Sequence, residues 1–225
     1  KIRLLSGVRF DKHSLITNFI ISPRVSILYK IYKNTQFRAT YSTGFRAPQA
    51  FDTDLHIAFA GGGISRIELD KNLKEETSKS FNASINYDKI KNNHIYGITI
   101  ESFHTRLIDA FYQDPIGEDE FGQIFIKKNG NDATVKGITI EMRANFNQKI
   151  EIETGLTYQS SEYDSNVNYT LNLNPRKKFL RTPDKYGYAT FNYVANKNIK
   201  ISCNLIHTGP MDLIHFAGAP EQNED

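Results

Sequence analysis

Apolar and polar residues alternate along most of the chain. In 23–31, 81–87 and 138–146, every second residue is mainly apolar or aromatic, and the residues between them are mainly polar. Because successive side chains of a β-strand point to opposite faces, this pattern predicts strands with one apolar and one polar face. Few segments combine helical spacing with capping signals, so no helix is predicted. The predicted strands are 2–10, 20–31, 35–44, 75–88, 94–113, 122–146, 149–162, 182–195 and 198–208.

The connections between these strands alternate in length. Short polar turns are predicted at 32–34, 89–93, 147–149 and 195–198. Longer connections are predicted at 11–19, 45–74, 114–121 and 163–181. Bacterial outer-membrane barrels have short turns at one end and long loops at the other, whereas a soluble sandwich has no reason to separate them. Aromatic residues near the strand ends fit either interfacial girdles or cross-strand packing in any antiparallel sheet.

The composition is compatible with both a soluble protein and a membrane barrel. Hydrophobic residues make up 39% of the 225 residues, and the mean hydropathy is −0.48. No run approaches the roughly 20 apolar residues of a membrane helix, but barrel strands also keep the average hydropathy low. The net charge of +3 is dispersed, so no nucleic-acid partner is predicted. Cys203 is the single cysteine, which excludes an intrachain disulfide and a cysteine-rich zinc site.

Several segments carry a family resemblance. The strand end Tyr41–Pro48 reads YSTGFRAP, and the next strand begins in Leu69–Ser78 with LDKNLKEETS. This pair resembles the barrel of TonB-dependent outer-membrane receptors, although the second segment lacks the prolines usual in the family. Four further segments resemble the same family in order and spacing: Ser102–Phe111, Asn131–Met142, Leu156–Tyr163 and Arg181–Gly187.

The resemblance implies a fold and a domain assignment. The fold class is all-β, an antiparallel meander of long strands that forms a section of a transmembrane β-barrel of about 22 strands. Residues 1–225 are expected to be a partial receptor barrel of about nine strands, without the plug domain and the final strands. Such a section would expose unpaired strand edges and would aggregate unless neighbouring chain covered them.

The connection between the first two family segments is the main candidate for ligand binding. In these receptors the extracellular loops and the upper lumen bind the nutrient, so the resemblance implies ligand contacts for Arg46, Asp52, Asp54 and His56. Haem-uptake receptors of the family carry a haem-ligating histidine in this interval, and imidazole suits axial iron coordination. The alternative for His56 is a surface histidine without a ligand.

Other polar segments give weaker indications. The acidic segment 114–120 is interpreted as a loop whose oxygen atoms could bind calcium, but it lacks the EF-hand pattern and acidic surface loops are common. No nucleophile elbow, cysteine–histidine pair or distinctive carboxylate pair is present in the sequence. The chain is therefore predicted not to be an enzyme, and no metal site or cofactor is predicted.

The first hypothesis is a section of a receptor for TonB-energised uptake of an iron siderophore, haem or cobalamin at the bacterial outer membrane. Its expected partners are outer-membrane lipids and a small-molecule nutrient, with TonB reached only through the plug region. The alternatives are a soluble or surface β-sheet module for ligand binding or adhesion, and a passive porin-like channel. A sandwich would bury Phe81, Ile138, Ile140 and Met142 between two sheets, whereas a barrel would leave them on its outer face.

Overall fold

A computed structural model describes residues 1–16, 18–48, 66–119, 122–169 and 174–213. These residues form strands and connections, and no helix among them is long and apolar enough to cross a membrane. The strands are β1 (Ile2–Asp11), β2 (Ile20–Tyr32), β3 (Thr35–Arg46), β4 (Arg66–Leu69), β5 (Glu76–Lys91), β6 (His94–Ile108), β7 (Phe111–Asp119), β8 (Gly122–Asn129), β9 (Ala133–Phe146), β10 (Ile150–Val167), β11 (Arg176–Lys178), β12 (Lys185–Val194) and β13 (Lys200–Thr208).

One large sheet contains the long strands. Its order is β1-β2-β3-β5-β6-β9-β10-β12-β13, with β11 paired to the far part of β10. All of these neighbours are antiparallel. The predicted all-β antiparallel meander is therefore confirmed. Short turns join the strands at one end of the sheet, here called the short-turn end. The other end is called the long-connection end.

Two predicted strands are wrong because the chain turns within them. The predicted strand 94–113 ends at Ile108, where Asp109 adopts a left-handed conformation with φ 55°. The predicted strand 122–146 is likewise divided into β8 and β9. The second break falls in 127–132, a run of six residues that are polar or glycine, with the turn signal Asn129-Gly130, which the predicted strand bounds did not take into account. Left-handed backbone is open to aspartate more than to most residues.

The predicted long connection 114–121 is also wrong, because most of it is strand. β7 and β8 pair as an antiparallel hairpin, and β4 adds to β8 in parallel, which gives a second sheet in the order β4-β8-β7. The sequence places β4 within the predicted connection 45–74. This small sheet, here called the satellite sheet, stands at the long-connection end of the large sheet.

The large sheet exposes side chains of its apolar face and buries side chains of its polar face, which is the reverse of a soluble protein. On the apolar face, Phe81, Ile138 and Met142 are exposed to 51%, 50% and 52%. On the polar face, Thr40 and Thr157 are exposed to only 8% and 5%. A soluble sandwich would bury the apolar face. The described residues therefore match a membrane barrel section and not the sandwich alternative.

Hydroxyl pairs stabilise the polar face across neighbouring strands. The hydroxyls of Ser80 and Thr105 lie 2.9 Å apart, and those of Thr139 and Thr157 also lie 2.9 Å apart. A buried polar group costs free energy unless it is hydrogen-bonded. Cross-strand pairing of this kind allows small polar side chains to be buried on the face that would line a barrel.

Candidate functional site

Arg46 ends β3 on the polar face, directly opposite Glu76 at the start of β5. Its guanidinium Nη2 lies 3.4 Å from Glu76 Oε2, and its Cζ lies 4.9 Å from the centre of the Phe111 ring. The Arg46 side chain remains 45% exposed, while that of Glu76 is 11% exposed. Arg46 is therefore held from one side and open to solvent from the other. A cation in this position can attract an anionic group at the long-connection end.

The same carboxylate oxygen fixes the satellite sheet. The backbone N–H of Phe111, the first residue of β7, donates a buried hydrogen bond of 2.7 Å to Glu76 Oε2. The Nζ of Lys127 lies 4.8 Å from the centre of the Phe111 ring. Phe111 thus lies within cation–π distance of both Lys127 and Arg46. Phe111 therefore couples the position of Arg46 to that of the satellite sheet.

A small apolar core lies beside Phe111. It consists of Ala110, Ala133, Tyr163 and Val167, with Leu107, Tyr112, Tyr169 and Phe179 packed against it. The Tyr163 hydroxyl donates a hydrogen bond of 3.1 Å to the carbonyl of Phe111, and the Tyr163 and Phe179 ring centres are 4.5 Å apart. Aromatic packing with a satisfied hydroxyl favours one fixed arrangement. Residues from β7 and β10 are thereby held together.

Asn129 joins the satellite sheet to the segment that precedes β5. Its Oδ1 accepts a hydrogen bond of 2.8 Å from the N–H of Lys74, and its Nδ2 donates to the carbonyls of Lys74 at 3.1 Å and Asp109 at 2.9 Å. Three hydrogen bonds from one amide use most of its bonding capacity. The base of the satellite sheet is therefore tied to both flanking connections.

Arg106 lies on the apolar-face side of β6, nearer the long-connection end than Ile98 and Ile100, and it bridges three strands. It pairs with Asp164 of β10, donates at 3.1 Å to Asp132 and donates at 3.0 Å to Thr134 of β9. The hydrogen bond from Arg106 holds the pKa of Asp164 below its usual value. The charged groups of this cluster form ion pairs with one another, which favours a structural role.

The acidic segment 114–120 is not the predicted loop, because most of it lies in β7. Asp114 lies in β7 and accepts a hydrogen bond of 2.5 Å from Nζ of Lys128 in β8. This bond raises the pKa of the Lys128 ammonium. Among the described residues, no group of three His, Cys, Asp or Glu side chains could hold a metal ion. The Asp114 carboxylate is thus engaged in a cross-strand ion pair.

Of the four predicted ligand contacts, the structure describes one. Arg46 lies at the long-connection end, in the cluster with Glu76 and Phe111. Asp52, Asp54 and His56 lie outside the described residues. Three further residues of this cluster, Phe111, Lys127 and Tyr163, were not predicted from the sequence. Tyr163 and Phe111 are the last residues of two segments that carry the family resemblance, which is a signal that could have indicated them.

Comparisons with known proteins identify the architecture. A family model described as "TonB dependent receptor-like, beta-barrel" matches residues 1–202. The siderophore receptor PirA from Pseudomonas aeruginosa is 18% identical with a TM-score of 0.66, over 90% of this chain and 36% of that one. The ferric-catecholate import receptor Fiu from E. coli K12 is 13% identical with a TM-score of 0.60, over 87% of this chain and 25% of that one.

A third solved structure gives the same result. The FrpB iron transporter from Neisseria meningitidis is 13% identical with a TM-score of 0.55, over 83% of this chain and 26% of that one. The chain thus spans between a quarter and just over a third of these proteins. No curated protein sequence matches it. Similarity at these identities shows the fold, and the family match covers most of the chain, so this chain belongs to the TonB-dependent receptor-like β-barrel family.

Proposed function

We propose that this chain forms part of the wall of an outer-membrane receptor that takes up a scarce nutrient with energy delivered through TonB. The observation that carries the proposal is the exposed apolar face on a sheet whose opposite face is polar, in a member of this receptor family. The family consists of receptors and transporters, so the chain is not an enzyme. Its cargo would be an iron siderophore, haem or cobalamin, and TonB would act through the plug region.

The distribution of aromatic side chains supports a location in the outer membrane. Phe146 makes edge contacts with His94 and Tyr96 at the short-turn end, with ring centres 5.7 Å apart in both pairs. Tyr158, on the same face, lies toward the other end of β10, where the Lys185 ammonium stands over its ring. Barrels of this class carry an apolar band of about 25 Å between two aromatic girdles. The lipid of the outer membrane would therefore cover the apolar face.

The long-connection end would face the cell exterior and receive the nutrient. Arg46 supports this placement, because its partly exposed guanidinium is fixed by Glu76 and Phe111. We propose that Asp52, Asp54 and His56, which follow Arg46 in the same connection, also contact the ligand. Substitution of these residues one at a time should weaken nutrient binding without lowering receptor abundance. Lys79→Gln, on the apolar-face side of β5, is a suitable control and should leave binding unchanged.

Uptake by cells tests the function directly. The complete receptor would be returned to a strain that lacks it, and uptake of radiolabelled ferric siderophores, haem and cobalamin would be measured with TonB present and with TonB deleted. We expect uptake of one of these nutrients to depend on both the receptor and TonB. Uptake that persists without TonB would indicate a passive channel, and no receptor-dependent uptake would contradict the proposal.

Haem binding has a spectroscopic test. If His56 ligates haem iron, the intact receptor will shift the haem Soret band, and His56→Ala will remove the shift and weaken binding. His13, another histidine in a connection at the long-connection end, provides the matched His13→Ala control. An unchanged spectrum and affinity in His56→Ala would exclude haem ligation by this residue while leaving siderophore or cobalamin uptake open.

A further inference from the structure

The polar face of the large sheet is divided by charge. The first three strands, β1 to β3, place five arginines on this face, together with Lys30, and their single carboxylate there is Asp11. These arginines, here called the arginine face, are Arg3, Arg9, Arg24, Arg38 and Arg46. Ser26 and Thr40 contact each other on the polar face, and the strand register places each of these arginines on the same side of the sheet as that pair.

The other half of the same face is acidic. Glu101 on β6, Glu141 on β9, and Glu151 and Glu153 on β10 follow the alternation that places Thr139 and Thr157 on the polar face. Arg143 is the cation among them, and it is paired with Asp88 of β5. A solute beside this sheet therefore meets positive potential along β1 to β3 and negative potential along β6 to β10.

Three members of the arginine face have side chains without a partner among the described residues. Arg3, Arg24 and Arg38 are exposed, and none of their side chains forms a hydrogen bond or ion pair with another residue that the structure describes. By contrast, Arg9 pairs with Asp11 and Arg46 with Glu76. Unpaired arginines that share one face offer planar donor groups suited to carboxylate or phosphate oxygens.

Their positions form a series along the strands. Arg24 pairs with Gly7 on one side and Ser42 on the other, so it has no bulky neighbour in its row. Arg3 and Arg38 both lie opposite Leu28, one strand to either side and closer to the short-turn end. Neighbouring strands are about 4.8 Å apart, which places the Cα atoms of Arg3 and Arg38 roughly 10 Å from each other.

A buried hydroxyl gives independent support. Ser22 lies on the polar face opposite Arg9, on the side of Arg24 nearer the long-connection end, is 8% exposed, and its Oγ has no hydrogen-bond partner in the described part of the chain. Leaving a buried hydroxyl unpaired costs free energy, so a partner for it is expected. A ligand oxygen beside Arg9 or Arg24 would satisfy this donor.

We infer that the arginine face is a path for a small solute that carries several negative charges on oxygen atoms. The inference rests on the proposed function, and it identifies the class of cargo as anionic. The solute would meet Arg46 and Arg9 first, then Arg24, then Arg38 and Arg3, while the carboxylates of β6 to β10 keep it on this half of the wall. A solute of opposite charge would follow the acidic half.

Thiol modification in the full-length receptor tests this inference without knowledge of the cargo. Ser42→Cys, beside Arg24, and Thr190→Cys, opposite Glu153, would each be introduced into a Cys203→Ser background. The rates of reaction with a sulfonate-bearing and a trimethylammonium-bearing methanethiosulfonate would be measured and referred to a free thiol. Because charge in a confined cleft changes local concentrations by about tenfold or more, the sulfonate reagent should be favoured by that factor at Ser42→Cys relative to Thr190→Cys.

Two variants complete the test. Arg24→Gln with Arg38→Gln should remove the preference for the sulfonate reagent at Ser42→Cys, while Arg24→Lys with Arg38→Lys should retain it. Equal reactivity with the two reagents would overturn the inference. No reaction of Ser42→Cys with either reagent would also overturn it, because the arginines would then be covered by another part of the receptor. Both negative results are independent of whether the receptor transports a nutrient.

Discussion

Glu76 and Phe111 are joined by a hydrogen bond of 2.7 Å from the Phe111 backbone N–H to a carboxylate oxygen, and both residues are buried. The same oxygen lies 3.4 Å from Arg46. One side chain at the start of β5 therefore holds the end of β3 and the first residue of the satellite sheet. Charged hydrogen bonds of this kind are about twice as strong as neutral ones.

Replacing Glu76 should loosen the satellite sheet while the large sheet stays folded. Glu76→Ala leaves the buried Phe111 N–H without an acceptor, which costs about 1–3 kcal/mol. We expect faster amide hydrogen exchange across β7 and β8 and unchanged exchange in β9. Glu75→Ala is the control, because Glu75 makes no hydrogen bond with another described residue. Equal exchange in the two variants would show that Glu76 does not anchor the hairpin.

The segments that carry the family resemblance meet at this anchor. Arg46, Glu76 and Phe111 belong to three different segments, and Tyr163, from a fourth, donates to the Phe111 carbonyl. In the sequence, these segments indicate the family and predict a ligand contact at Arg46. The structure shows that they also join β3, β5, β7 and β10 at one place. Spacing along the chain could not show this convergence, because it depends on the register of four strands.

Close packing on the polar face gives a second prediction. A Cβ atom on Gly137 would lie 2.5 Å from the Tyr158 carbonyl oxygen and 2.6 Å from the Phe103 ring. Because the carbonyl cannot move without disturbing the β9–β10 pairing, Gly137→Ala should destabilise the receptor by about 1–3 kcal/mol. A Cβ on Gly7 meets nothing within 4 Å, so Gly7→Ala is the matched control. Denaturant midpoints of both variants in lipid vesicles would be compared, and equal midpoints would contradict the prediction.

The long strands were predictable because a single period determines them. Alternation alone indicated nine strands with one apolar face, and nine long strands follow one another in the large sheet. The satellite sheet was missed for the same reason. Reliance on alternation alone did not detect the turn at Asp109 or the polar run 127–132, and the β4–β8 pairing is parallel between segments far apart in sequence. A local pattern carries no information about such a pairing.

A charge on the apolar face should be costly only in lipid. Ile85 is 49% exposed on this face, between Phe37 and Ile100. Near the bilayer midplane, lysine on the lipid face of a barrel costs about 2–4 kcal/mol, so Ile85→Lys should lower the unfolding free energy in vesicles by roughly that amount. Asn82→Lys, on the polar face of the same strand, should cost much less. A similar loss in both variants would argue against a lipid-covered apolar face.

The ion pair between Arg106 and Asp164 should make the far part of β10 sensitive to acid. The hydrogen bond from Arg106 lowers the pKa of Asp164 below its ordinary value of 3.8. A depressed carboxyl pKa contributes stability that is present above the unfolded value and is lost as the pH falls through the folded value. Amide exchange near Asp164, corrected for the intrinsic effect of pH, should therefore accelerate below about pH 3.8 and be constant between pH 5 and 7.

Arg106→Gln separates this pair from general acid effects. Without the guanidinium, the pKa of Asp164 should rise toward its ordinary value, and exchange near Asp164 should already be fast at neutral pH, with little further change on acidification. Glu162→Gln, two residues earlier in β10, should keep the acid sensitivity, because Glu162 has no bond to Arg106. If Arg106→Gln retained the same acid transition as the unmodified receptor, another carboxylate would have to be responsible, and the bridge across β6, β9 and β10 would not stabilise this end of the sheet.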